Sequence, residues 1–552
     1  MVNLMSGRLR PLTIALLAVS LLASCRGREE ETAPQPPAQA EAPRRGGTVV
    51  LAWGAEPGGV NELITPATQI TAEIADRLFL RLLEEQPDFA EHPPTFAPLL
   101  AKSYEWSGDH KTITFHLRED VVWSDGVPIT AEDVRWTWQA QVHPDIVWDN
   151  AHMKQEIRDV EVVDPHTVRF HFNRVYAKQL LDVNEGGVLP KHVWGQIPFS
   201  KWRESGDWFK EHLVVSGGFT VASWTPQQEI VLVRNPRYFR KDRPYLDRAV
   251  MRVTPDAGSA ITQVLNGEVD FIAQVPPSEA PRIKADPDLN LITYWSNLWV
   301  AAFWNNARPP FDDPEVRRAL TLAIDRQAIV DTILGEYGRI GTTPIITAVW
   351  AHDRTIQPWP YDPAEARRIL AAKGWKDTDG DGVLERNGKP FTFELTTNAG
   401  NQPRNDAVVM IQNQLKKVGV QATPRVLEFN TLVEETNSGE FDATVTGFTL
   451  DTSLDLTGNF HSRSIADGSN IMRYTNPEVD RLLEQIAGQT DPEGARPLFG
   501  RLQEILHRDQ PVTFLWESQR LSPINKRIQD AKPNVLRSFF NLEDWWIKPQ
   551  TP

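Results

Sequence analysis

Apolar and polar residues alternate with a period of two in residues 111–118, where Ile113, Phe115 and Leu117 share one face. Val168, Phe170 and Phe172 repeat the alternation, so both segments predict half-buried strands. A short apolar run at 48–52 predicts a buried strand, and 229–234, 269–272, 391–395 and 443–448 read as further short strands. A helical spacing replaces these patterns in residues 68–83, through Ile70, Ile74, Leu78 and Leu82, and recurs at Ile261, Val264 and Leu265. A further helix starts at Asp312-Asp313-Pro314-Glu315, with a capping Asp, Pro in the first turn and an acid near the positive dipole end. It carries the stripe Val316, Ala319, Leu320, Ala323 and Ile324. Residues 405–418 predict another helix. Thr130 opens one more, with Asp133 placed to complete a capping box. Residues 123–128 and Asn235-Pro236 read as turns. Strands alternate with helices both before residue 300 and across 304–518, which is an α/β pattern without internal repeat.

The N-terminus decides the compartment. Arg8 and Arg10 precede an apolar run from Leu12 to Ala23, too short for a comfortable membrane span and matching the apolar region of a signal peptide. It ends in Leu22-Ala23-Ser24-Cys25, which resembles the bacterial lipobox and implies cleavage after residue 24 with a lipid on Cys25. Cys25 is the sole cysteine of 552 residues, so no disulfide framework exists and lipidation leaves the mature body without a thiol. Residues 25–45, rich in Pro, Ala, Gln and Glu, read as a tether. No later stretch is apolar enough to span a membrane. The expected location is extracytoplasmic, on a bacterial membrane through the lipid alone. A formal charge of −15 argues against nucleic acid as a partner. The 19 tryptophans are enough to fill cores and still line a cavity.

Signatures of catalysis are missing: there is no Gly-x-Ser-x-Gly elbow, no His-Glu-x-x-His helix and no phosphate loop, and Gly335, Gly338 and Gly341 have the wrong spacing for a dinucleotide turn. The chain is therefore read as a non-enzyme. A lipid-anchored hydrolase using paired acids on peptides or glycans is the alternative from another class. His116 and His171 oppose the apolar faces of their strands and read as exposed cross-strand residues rather than a metal pair. One acidic loop, Asp377-Thr378-Asp379-Gly380-Asp381-Gly382-Val383-Leu384-Glu385, is similar to a calcium loop. Gly388 stands where such a loop places its bidentate Glu. Asp377, Asp379, Asp381, the Val383 carbonyl and Glu385 are the candidate ligands of a structural Ca2+, and a plain surface turn is the alternative. No other cofactor is expected.

The chain resembles the peptide/nickel (oligopeptide- and dipeptide-binding) family of bacterial ABC transporter solute-binding proteins, in its lipoprotein form. The resemblance rests on Leu99-Leu100-Ala101-Lys102-Ser103-Tyr104-Glu105-Trp106-Ser107, on 112–118, on Val122-Trp123-Ser124-Asp125-Gly126 and on Thr130-Ala131-Glu132-Asp133-Val134. Arg234-Asn235-Pro236-Arg237-Tyr238, Asn266-Gly267-Glu268-Val269-Asp270 and residues 310–320 follow in the family's order.

That resemblance implies a two-lobed periplasmic-binding-protein-like α/β fold with a hinged cleft and an extra domain. Its three regions include a discontinuous domain I, at 46–85, 210–300 and 519–552, with domain II at 86–209 and domain III at 301–518. It implies capture of a peptide or similar small solute, delivery to an ABC permease and a monomeric state. A sensory or adhesive surface lipoprotein on the same fold is a further alternative. Relatives carry Gly-Trp-x-x-Asp, with the Asp on the ligand's ammonium group. Gly447-Phe448-Thr449-Leu450-Asp451 matches it, giving Asp451 the carboxylate role, or only a turn start, and Phe448 that of an apolar wall. Asp455 is a second candidate. Trp295, Trp299 and Trp304, with Phe303, fall at the family's lobe crossover, where they either stack on ligand or pack the hinge.

Overall fold

Two long strands run through the middle of the protein and organise the rest. In the computed structural model, which describes residues 42–549, Leu289–Trp304 pairs antiparallel with Val512–Asn525. The register shifts between Trp295 and Trp299, so Ser296, Asn297 and Leu298 interrupt the ladder. Such interruptions increase local twist and bend a strand. On one side of this break the sheet continues through Phe271–Ile272, Thr48–Trp53, Arg248–Val253, Glu229–Arg234 and Phe219–Thr225. On the other it continues through Ala443–Thr449, Thr392–Asn398 and Gln421–Leu427. One sheet thus serves two halves, each covered by helices. A separate antiparallel sheet, in the order Ala101–Trp106, Thr112–Leu117, Thr167–Phe172, Ile157–Asp164, buries Ile113, Phe115, Leu117, Val168 and Phe170 as their alternation requires.

The aromatic run before residue 304 is itself the central strand. Trp299, Ala301 and Phe303 face one apolar core, and Val300, Ala302 and Trp304 face another. A strand buried on both faces loses polar alternation and reads as a continuous apolar run.

Local signals explain most elements. Thr130 and Asp133 form the capping box of helix Ala131–Gln141. Asp313 caps Pro314–Ala323 by accepting from the Glu315 N–H at 2.9 Å. Three expectations need correcting. The helix expected over 68–83 spans only Gln69–Leu78. The Leu78 carbonyl accepts instead from the N–H groups of Ser216 and Gly217 (3.0 and 2.8 Å), which ends the helical ladder. That approach needs glycine, since a Cβ on Gly217 would lie 2.2 Å from the Arg77 carbonyl oxygen. The helix expected over 405–418 is Gln402–Lys416: Asn401 caps a polar first turn that an apolar pattern does not show. The strand expected over 269–272 is only Phe271–Ile272, because the Asp270 carboxylate takes the Val50 N–H that a longer ladder would use.

Candidate functional site

A cavity of about 580 Å³ opens between the two halves of the chain, a size usual for small-molecule sites. Its walls come from distant segments: helix Gln69–Leu78 and the chain after it to Phe89, residues between Trp148 and Glu185, the turn at 449–453, and residues 535–543. The helix is positioned by Ile70, Ile74 and Leu78, which are buried in the core, while Asp76 and Arg77 line the cavity.

Those two residues begin a buried ionic floor. Arg81 bonds Asp76 at 2.9 Å and Glu185 at 2.7 Å, Arg537 bonds Asp76 at 2.6 Å, and Arg77 bonds Glu543 at 2.5 Å. Burial opposes ionisation of Asp76, but the guanidinium groups of Arg537, Arg81 and Arg77 outweigh it and hold the carboxyl far below its usual range. Burial likewise opposes ionisation of Glu185, and Arg81 prevails there too. Two other wall carboxyls behave in the opposite way. Burial pushes Glu62 and Glu85 up, against the lowering effect of Arg81 on both. Glu62 accepts from the Gly187 N–H at 2.7 Å, and Glu85 accepts from the Thr452 hydroxyl.

Of the site residues read from the sequence, Asp451 is the one that lines this cavity. Its Oδ1 accepts from the Ser453 N–H at 3.0 Å, and the Leu454 N–H donates to its carbonyl at 3.2 Å. Asp451 therefore starts a turn and also faces the cavity. Asp455 lies outside the lining and is paired with Lys178 at 3.0 Å. Burial opposes its ionisation, and Lys178 outweighs that and lowers its pKa. Phe448 is half-buried against Trp299 and Phe303, with ring centroids at 5.8 and 5.4 Å. Trp299 and Trp304 are 1% and 0% exposed, packed in cores away from the cavity. Trp295 is half-buried under the Arg339 guanidinium, 3.6 Å from its ring centre. Trp299 and Trp304 thus belong to the packing of the central strand, with their apolar area covered by protein, while Trp295 remains partly open.

The residues that sequence reasoning did not find are the charged ones: Glu62, Asp76, Arg81, Glu85, Lys178 and Arg537. Asp76 and Arg77 inside an amphipathic helix look like its solvated face, and only the fold brings Arg537 onto them.

At the acidic loop, one carboxylate oxygen each from Asp377, Asp379, Asp381 and Glu385 lie within 4.8 Å of one another. Asp377 already accepts from the Gly380 and Gly382 N–H groups at 2.7 and 3.0 Å, and both glycines have positive φ. Val383 donates its N–H to Asp381 at 2.7 Å. His171 bonds Glu161 at 3.1 Å, and His116 is 3.7 Å from Glu105. Cys25 and the segment before it lie outside the described residues. No helix among the described residues is long and apolar enough to cross a membrane.

A charged cavity walled by both halves of a two-part sheet, with the halves joined through paired strands, is the architecture of a two-lobed solute-binding protein. Known proteins agree with that reading. The profile of the bacterial extracellular solute-binding proteins, family 5 Middle, matches residues 95–467, and the chain belongs to that family. It is 29% identical over 543 residues to the oligopeptide-binding protein AppA of Bacillus subtilis (strain 168), covering 97% of this chain and 98% of that one. It is 27% identical over 547 residues to the heme-binding protein A of Haemophilus influenzae, covering 94% and 95% of the two chains. The solved structure of AppA from Bacillus subtilis in complex with a nonapeptide superposes with a TM-score of 0.77 at 29% identity, covering 92% of this chain and 100% of that one. The protein is thus an extracytoplasmic solute-binding protein.

Proposed function

We propose that the solute is a short peptide, held by its ammonium group at Asp451 and passed to an ABC permease without chemical change. The observation that carries this reading is a carboxylate on the cavity wall whose Oδ2 has no donor or cation bonded to it among the described residues. The nonapeptide in the AppA complex supports it. Asp451 is exposed in this structure; a ligand bound over it shuts its carboxylate from water, which is costly unless paired, and a ligand cation offsets that cost. Asp451→Asn keeps the shape and removes the charge. Calorimetric titration with trialanine should show affinity falling on the order of a hundredfold. An unchanged dissociation constant, with the fold intact, leaves Asp451 a turn residue and removes the peptide's ammonium from the account.

Two further readings belong with this one. Cys25 carries the lipid that tethers the protein, and Cys25→Ser should lose both fatty-acid labelling and membrane fractionation. The acidic loop at 377–385 takes a calcium ion in a structural role, because its four carboxylates converge on one exposed turn.

A further inference from the structure

The cavity wall carries more acid than base: eight carboxyls line it against five cations. Arg77, Arg81 and Arg537 are taken by Glu543, Asp76 and Glu185, and Lys178 by Asp455, which lies outside the lining. The fifth cation, Arg520, donates to the Gln69 side-chain oxygen at 3.0 Å. Glu84 has Arg240 at 3.9 Å. Four lining carboxyls, Glu62, Glu85, Asp182 and Asp451, are left without an ion pair among the described residues.

Of these, Glu85 reaches the turn that bears Asp451. It ends the short strand Leu83–Glu85 of the N-terminal half, and its Oε1 accepts from the hydroxyl of Thr452, the residue after Asp451 in the C-terminal half. Its Oε2 has no donor or cation bonded to it among the described residues. Glu85 is half-buried, so water solvates its charge only in part, and a cation brought to it offsets that loss. The surface beside the two acids is apolar. Phe89 follows Glu85 on the same segment, and Leu450 precedes Asp451. Val349 is held next to Phe89 by the bond from the Trp350 N–H to the Phe89 carbonyl at 2.9 Å, and all three side chains line the cavity. A basic side chain suits such a wall, because its hydrocarbon stem covers apolar surface while its charged end meets an acid. We propose that Glu85 receives a basic side chain on the first residue of the ligand, so that the cavity favours peptides beginning with lysine or arginine. This rests on the peptide reading, since Asp451 must hold the ammonium group next to it.

The test uses the full-length protein in detergent, titrated by calorimetry with Lys-Ala-Ala and with norleucyl-Ala-Ala, which share a four-carbon stem and differ in its terminal ammonium. The wild type should bind the lysyl peptide at least roughly tenfold more tightly, the worth of a charge-assisted hydrogen bond. Ala-Ala-Lys should have no such advantage over Ala-Ala-norleucine, because Glu85 stands beside the seat of the first residue. Glu85→Gln keeps an oxygen for the Thr452 hydroxyl and should bring the two first-residue peptides within about twofold of each other. Equal affinities for them in the wild type overturn the proposal and leave the peptide reading standing, as does an equal advantage for lysine at the third residue. A preference that survives in a folded Glu85→Gln overturns it too. Because both peptide comparisons need no mutation, a variant that fails to fold does not protect the idea. If the wild type binds none of the four, the peptide reading fails first and this one with it.

Discussion

Burial opposes ionisation at Asp76 and at Glu85 alike, yet the two carboxyls end on opposite sides of their ordinary range because only Asp76 is gripped by arginines. Asp76→Asn would leave Arg81 and Arg537 short of a partner, and breaking a buried pair this way costs about 3–5 kcal/mol. Glu85 has the reverse linkage. Its pKa is raised in the folded protein, so folding favours its protonated form; that contribution is complete below the ordinary value of 4.5 and is lost as pH rises through the folded value. Glu85→Gln mimics the protonated carboxyl. In chemical denaturation at pH 7 the variant should equal or exceed the wild type in stability, and the difference should vanish at pH 4. A variant clearly less stable at pH 7 would show that ionised Glu85 stabilises the fold. At this scale the sequence was least informative. The place of Asp451 on the cavity wall follows from its position after a strand in a recognisable motif, whereas Arg520 and Arg537 line the cavity only because the C-terminal chain returns to helix Gln69–Leu78.

Elements were read well where a local rule governs them and poorly where a partner segment does. The alternation of 112–117 and 167–172, the capping box at Thr130 and the Asp313 cap gave strands and helices at the expected places. Helix Gln69–Leu78 stops early because a distant segment, Ser216-Gly217, takes its last carbonyl, and no window of sequence around residue 78 contains that information. The central strand hid behind its tryptophans. Burial between two cores removed the alternation that marks a strand, so sequence alone left Trp299 and Trp304 open between stacking on ligand and packing the hinge. In the loop at 377–385 the carboxylates of Asp377, Asp379, Asp381 and Glu385 lie near one another, as their spacing suggests. Calcium bound there should raise the melting temperature by mass action. Melts in millimolar-scale calcium and in chelator should differ for the wild type and coincide for Asp379→Ala. A wild type insensitive to calcium removes the ion.

For the whole molecule, the function is a matter of two halves sharing one cavity. Opposite the break at Ser296–Leu298, several bonds join the segment around Glu85–Glu91 and Lys178 to the C-terminal half. They include Lys178 to Asp455 at 3.0 Å, the Trp350 N–H to the Phe89 carbonyl at 2.9 Å and the Ala177 N–H to the Ala487 carbonyl at 3.0 Å. A ligand touching both halves adds to these bonds only when they are made, which is how binding biases such an equilibrium. The architecture could be anticipated because many scaffold blocks kept the family's order, but scaffold does not name a ligand. The most direct check offers the protein an equimolar mixture of di- to pentapeptides, separates bound from free by rapid gel filtration, and weighs what is retained by mass spectrometry. The account predicts intact short peptides at one per protein in the wild type and a large loss in Asp451→Asn. Peptides recovered in shortened form, or none retained at all, would contradict it.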